Sequence, residues 1–160
     1  AACILENGPQ TGTERMLTRK QNGIYRPLVK RAYRAYCDKG GCLSYEEWYR
    51  RQLIESELGI CTTKQIKEAH EFDILCLHFA VLLNDQTEID YWSRAVERRA
   101  LWMLKETMKK ADVGWPYVKG IARNMNFGDR EIRDMPAKLI LKLNSAVYLH
   151  MKRKEKHACI

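Results

Sequence analysis

Proline is scarce in this chain, at four residues of 160, and glycine is modest at nine, which excludes collagen-like and linker-like sequence. No apolar run approaches the roughly 20 residues of a membrane span, so no membrane contact is expected. The opening Ala1-Ala2-Cys3-Ile4-Leu5-Glu6-Asn7-Gly8 has neither the basic region nor the apolar segment of a signal peptide. Strand-like alternation never extends beyond a few residues, so no sheet is expected. The chemistry of a small enzyme is missing too. There is no Gly-x-x-x-x-Gly-Lys-Ser/Thr phosphate loop, no His-Glu-x-x-His and no Gly-x-Ser-x-Gly. The sequence leads to a non-enzymatic protein with no cofactor and no metal.

What is present is a basic, globular composition: 46% hydrophobic, 30% charged, 28 Lys and Arg against 20 Asp and Glu, net charge +8. The length suits one domain with a core of its own. The charge is unevenly spread. Residues 1–60 carry ten basic and seven acidic side chains, residues 61–97 three and seven, and residues 98–160 fifteen and six. The last segment, at +9, exceeds the whole surplus and ends in Lys152-Arg153-Lys154-Glu155-Lys156-His157, the electrostatic footprint of a protein that meets a polyanion. A solvated helical face with a basic tail is the plainer reading of the same charges.

Six cysteines, Cys3, Cys37, Cys42, Cys61, Cys76 and Cys159, leave a secreted, disulfide-stapled helical protein open as an alternative, although a chain of this length does not need staples. A zinc site would draw on Cys37, Cys42, Cys61 and either His70 or Cys76, without the tight paired spacing usual at both ends of such sites. Reduced thiols are the expectation. Cys76, inside the apolar run from Phe72 to Leu83, reads as a small core side chain, and His78 in the same run as a satisfied core or boundary histidine. Glu68, His70, Glu71 and Asp73 read as a solvated acidic face.

Along the chain, residues 1–24 hold Asn7-Gly-Pro, Thr11-Gly-Thr and Asn22-Gly and read as a flexible arm. Helical periodicity starts after Pro27. Residues 25–152 form a single helical domain, and 153–160 a basic tail. Ser44-Tyr-Glu-Glu47 and Thr62-Thr-Lys-Gln65 have the form of capping boxes. A long helix over about 88–111, capped by Thr87, places Ile89, Trp92, Val96, Ala100, Met103, Thr107 and Ala111 on a core face. Arg94, Arg98, Lys105 and Lys109 fall on a basic rail opposite it, with Trp102 beside the rail. Trp102, Trp115 and Tyr117 are candidates for stacking on bases, but Trp115 and Tyr117, opening the next short helix, read first as core residues that dock it. The last helix starts near Pro136 and presents Leu139, Leu143, Val147 and Met151. The expected fold is all-α, a compact bundle of about seven helices, with two related helical-hairpin units joined by a long central helix.

The two units share a grammar. Trp48-Tyr-Arg-Arg-Gln-Leu-Ile54 leads to Gly59, Ile66 and a Leu-rich helix; Trp115-Pro-Tyr-Val-Lys-Gly-Ile121 leads to Gly128, Ile132 and another. Tyr117-Val-Lys-Gly-Ile-Ala-Arg123, Asp129-Arg-Glu-Ile-Arg-Asp-Met135 and Ala137-Lys-Leu-Ile-Leu-Lys-Leu143 look like one unit of the Mu-like phage GemA-type regulatory proteins. Tyr33-Arg-Ala-Tyr36 with Trp48-Tyr-Arg-Arg51 looks like another. The resemblance covers residues 27–152, with the long middle helix departing from the family's arrangement. It implies a prophage-encoded protein of the bacterial cytoplasm that affects host transcription or DNA topology, and it supplies no catalytic residues.

Cations that neutralise phosphates are the first need of nucleic-acid binding. Arg94, Arg98, Lys105, Lys109, Lys119, Arg123, Lys138, Lys142, Lys152, Arg153 and Lys154 are the candidates, with DNA the expected partner. A host protein with an acidic surface is the alternative. The gap from Met125 to Pro136 is too long for a standard helix-turn-helix, which favours backbone or shape recognition.

Overall fold

Thr18 starts the first helix. Its hydroxyl accepts from Gln21 N at 3.1 Å while its own N–H donates to Gln21 Oε1 at 2.9 Å, a reciprocal cap that satisfies two orphan donors. Helix α1 therefore runs Arg19–Asp38 in this computed structural model, which describes residues 17–158. This corrects the expected arm at residues 19–24, which are helical, while residues 1–16 of it lie outside the described residues. Pro27 does not open the helix but lies inside it, on an exposed face. The carbonyl four residues back loses its helical donor, and it belongs to exposed Gly23, where water can serve.

Five further α-helices follow: α2 Tyr45–Glu55, α3 Ala69–Leu83, α4 Gln86–Ala111, α5 Trp115–Asn124 and α6 Ala137–Ala158, with 3-10 turns at Thr63–Gln65 and Ile132–Asp134. The all-α expectation holds, with six α-helices where about seven were expected. The described part of the expected basic tail, residues 153–158, is helix. Two caps differ from the sequence reading. Ser44 accepts from Glu47 N, but the Glu47 carboxylate turns to Arg51 at 2.8 Å instead of closing the box. At α4 the cap is Asp85, whose carboxylate takes the Thr87 N–H at 3.0 Å.

The chain divides into two compact units, Ala1–Ser93 and Arg94–Ile160, the division falling inside α4. In each unit the order of elements is the same: long helix, short helix, 3-10 turn, long helix. Gly59 and Gly128 hold positive φ of 56° and 81° between short helix and turn, a conformation that glycine adopts without penalty, and Ile66 and Ile132 are buried just after them. The grammar read from Trp48 and Trp115 is thus a repeated element order.

The first unit packs on aromatic rings. Phe79, fully buried, lies 5.7 Å from Tyr25, 5.9 Å from Trp48 and 6.0 Å from Tyr49, centroid to centroid. Cys76 is buried as expected, and burial pushes its thiol well above the usual range. His78 shares a 3.0 Å hydrogen bond with Gln52, and burial lowers its pKa. Asp73 is buried rather than part of a solvated face. A Cβ at Gly41 would overlap the ring of Tyr36, which stacks on Tyr33 and takes the Leu43 N–H on its hydroxyl. Gly41→Ala should therefore destabilise the first unit by about 1–3 kcal/mol, read as a lower urea midpoint with the slope unchanged.

The second unit has an aliphatic core: Ala100, Leu104 and Met108 of α4, Val118 and Ala122 of α5, Ile132 and Met135, and Ile140, Leu143 and Val147 of α6. With these residues inside, its charges are left outside.

Candidate nucleic-acid interface

The division of the chain is also a division of charge. Residues 1–93 hold 12 basic and 13 acidic side chains, a net −1; residues 94–160 hold 16 and 7, a net +9. All of the surplus belongs to the second unit.

On α6 the charges form a line. At 100° per residue from Lys138, the exposed residues Lys142, Ser145, Leu149, Lys152, Arg153 and Lys156 fall within about −40° to 60°. Buried Ile140, Leu143 and Val147 lie at about 140° to 200°. Five cations thus face away from the core along about 27 Å of helix. Lys152 also contacts Glu155 at 2.8 Å, a hydrogen bond that raises its pKa. Lys138, Lys142 and Arg153 have no acidic partner among the described residues. Lys154, expected in the same set, is exposed but lies off this line, about 160° from Lys138.

The rail on α4 needs a correction. Arg94, Arg98, Lys105 and Lys109 are all exposed, but the buried residues are Trp92, Val96, Ala100, Leu104, Met108 and Ala111. The first five form an i,i+4 ridge, which turns about 40° around the axis at each step. Met103 and Thr107 give way to Leu104 and Met108. The rail is opposite the core at Arg94 and Arg98. By Lys105 it runs beside the core, about 60° from Met108. Lys109 is held by Glu106 at 2.8 Å, a contact that lowers the Glu106 pKa.

That drift puts Lys105 on the edge of a groove. Lys105, Trp115, Lys119, Glu131 and Arg133, with Leu101 and Ile132 as apolar lining, enclose a cleft of about 570 Å³. Two smaller hollows adjoin it. One, at Lys109, Asp112 and Gly114, shares Lys105 and Trp115; the other, at Arg123, Gly128 and Arg130, shares Lys119, Glu131 and Ile132. Lys119 reaches Glu131 at 3.3 Å and Arg123 reaches Asp129 at 3.4 Å, while Lys105 and Arg133 have no acidic partner among the described residues.

The core expectation for Trp115 and Tyr117 is overturned: each is 37% exposed, while Trp102, expected beside the rail, is 59% exposed. Core docking of α5 falls to Val118 and Ala122, and Tyr117 lies beside His150 of α6, centroids 4.8 Å apart. Among the described residues no group of three or more His, Cys, Asp or Glu is placed to hold a metal, and no helix is long and apolar enough to cross a membrane. The chain matches no family model, no curated protein and no solved structure.

Proposed function

We propose that this is a non-enzymatic, DNA-associated regulatory protein whose second unit binds the nucleic-acid backbone through the α6 line, supplemented by Arg94, Arg98 and Lys105. One observation carries the reading: the whole positive surplus lies on one unit, and on α6 five cations stand opposite the buried stripe. A duplex strand offers a phosphate about every 3.4 Å, so 27 Å of helix spans about eight of them. Such contacts position a protein on DNA without reading bases, in keeping with a line of lysines rather than a helix-turn-helix. The GemA-type resemblance points the same way, to a phage protein acting on host transcription or DNA topology in the bacterial cytoplasm.

The test is a gel shift at low salt with duplex and single-stranded DNA. A retarded complex that survives removal of contaminating protein supports the reading. Failure to bind either form at low salt refutes it.

A further inference from the structure

The groove at Trp115 differs in kind from the α6 line. A duplex is met by a convex element, a helix that lies on or in a groove of the DNA. The Trp115 cleft is concave, and it shares lining residues with two further hollows, Lys105 and Trp115 with one and Lys119, Glu131 and Ile132 with the other, so it suits an extended ligand narrower than a duplex. Its volume of about 570 Å³ lies within the range of about 300–1,000 Å³ typical of ligand clefts.

Its chemistry is specific. Trp115 gives an accessible indole, 37% exposed although it opens a helix whose core contacts are made by other residues. Lys105 and Arg133 bring charge that no described carboxylate neutralises, and Lys119 is shared with Glu131. Along the three hollows the cations Lys105, Lys109, Lys119, Arg123, Arg130 and Arg133 outnumber the carboxylates Asp112, Asp129 and Glu131, and an aromatic face beside such a cationic track is the arrangement by which proteins hold single-stranded nucleic acid. Bases stack on the ring, and phosphates lie on the cations.

We infer that this groove binds a single-stranded nucleic-acid segment, with one base stacked on Trp115 and its flanking phosphates on Lys105 and Arg133. The inference rests on the nucleic-acid reading above and adds a strand preference to it. The protein would meet a duplex along α6 and an unpaired stretch in the groove. Stacking tolerates any base, so little sequence preference is expected.

The experiment uses the full chain and a labelled thymidine oligonucleotide of about six residues, with a short duplex as comparison. In a Trp102→Phe background the remaining tryptophans besides Trp115 are Trp48 and Trp92, both buried, so quenching by the oligonucleotide reports on Trp115. Quenching is expected. Trp115→Ala and Trp115→Leu should each weaken single-strand binding roughly tenfold and duplex binding less than twofold, and Trp115→Phe should keep most of the affinity. Trp115→Leu retains apolar bulk, and the quenching measurement leaves residue 115 intact, so instability of one variant does not block the test. Absence of quenching, or equal losses for single strand and duplex, would overturn the groove assignment and leave the α6 reading standing. Absence of binding to both forms would overturn the two together.

Discussion

Replacing Lys138, Lys142, Lys152 and Arg153 with Glu should lower affinity for duplex DNA at least a hundredfold at modest salt and leave helical content unchanged. The four side chains are exposed on the face of α6 opposite Ile140, Leu143 and Val147, so the contacts that hold the helix are not touched. Glu is about as good a helix former as Lys or Arg. The Lys152 contact with Glu155 is solvent-exposed and screened, so its loss costs little. What changes is the field: four cations that would displace counterions from phosphates become four anions that repel them. A matched variant carrying Glu at Lys20, Lys30, Arg34 and Arg50 alters net charge equally, at exposed positions of the first unit. It should lose far less affinity. Equal losses in the two variants would mean that net charge, not the α6 line, is responsible. Loss of helicity in the first variant would mean that the face was assigned wrongly.

The second large effect is on stability. Phe79→Ala should destabilise the first unit by about 3–5 kcal/mol, seen as a fall in urea midpoint. Phe79 is fully buried and its ring meets Tyr25, Trp48, Tyr49 and His78. Truncation removes both the buried area and the edge and face contacts of an aromatic cluster. Those neighbours are large and planar, held in place by their own bonds, such as Tyr25 to Tyr49 at 2.9 Å between hydroxyl oxygens. They cannot close over the cavity as flexible aliphatic side chains would. A variant as stable as the parent would contradict this account of the core.

Much of the fold was legible because local signals agreed with one another. The Thr62-to-Gln65 cap and the apolar run around Cys76 each specify structure through nearby backbone chemistry alone, whereas α2, which reads as running to about Leu58 with Gly59 as its cap, ends at Glu55 with Ser56 as its cap. The errors arose where two local signals competed, or where a distant element decided the outcome. Pro27 reads as a helix start, yet a reciprocal cap at Thr18, with interior turns that bury Tyr25, Leu28 and Val29, carries the helix through it. Thr87 and Asp85 are both able to cap α4, and it is Asp85, directly after the left-handed Asn84 that ends α3, whose carboxylate takes the Thr87 and Glu88 N–H groups.

For the candidate site, sequence named the cations and a rail on α4, but not the drift of that rail or the line on α6. Averaging the face of α4 over its whole length hid the steady rotation of an i,i+4 ridge, so Lys105 was placed opposite the core when it borders it. Projection of α6 onto a wheel, with Lys156 included, was the signal that would have found the straighter line. The exposure of Trp115 had no local signal. It follows from Val118 and Ala122 taking the buried side of α5, which depends on the shape of the aliphatic core they meet.

The most direct test of the central claim is the salt dependence of binding to labelled duplex DNA, measured by anisotropy between about 50 and 200 mM salt. The five cations of α6 alone predict a slope of about −4 to −5 in log affinity against log salt, a loss of a few hundredfold over that range, and each of Arg94, Arg98 and Lys105 that meets a phosphate steepens it by about 0.9. A slope near zero would show that the second unit's charge does not make the contact, and would contradict the account.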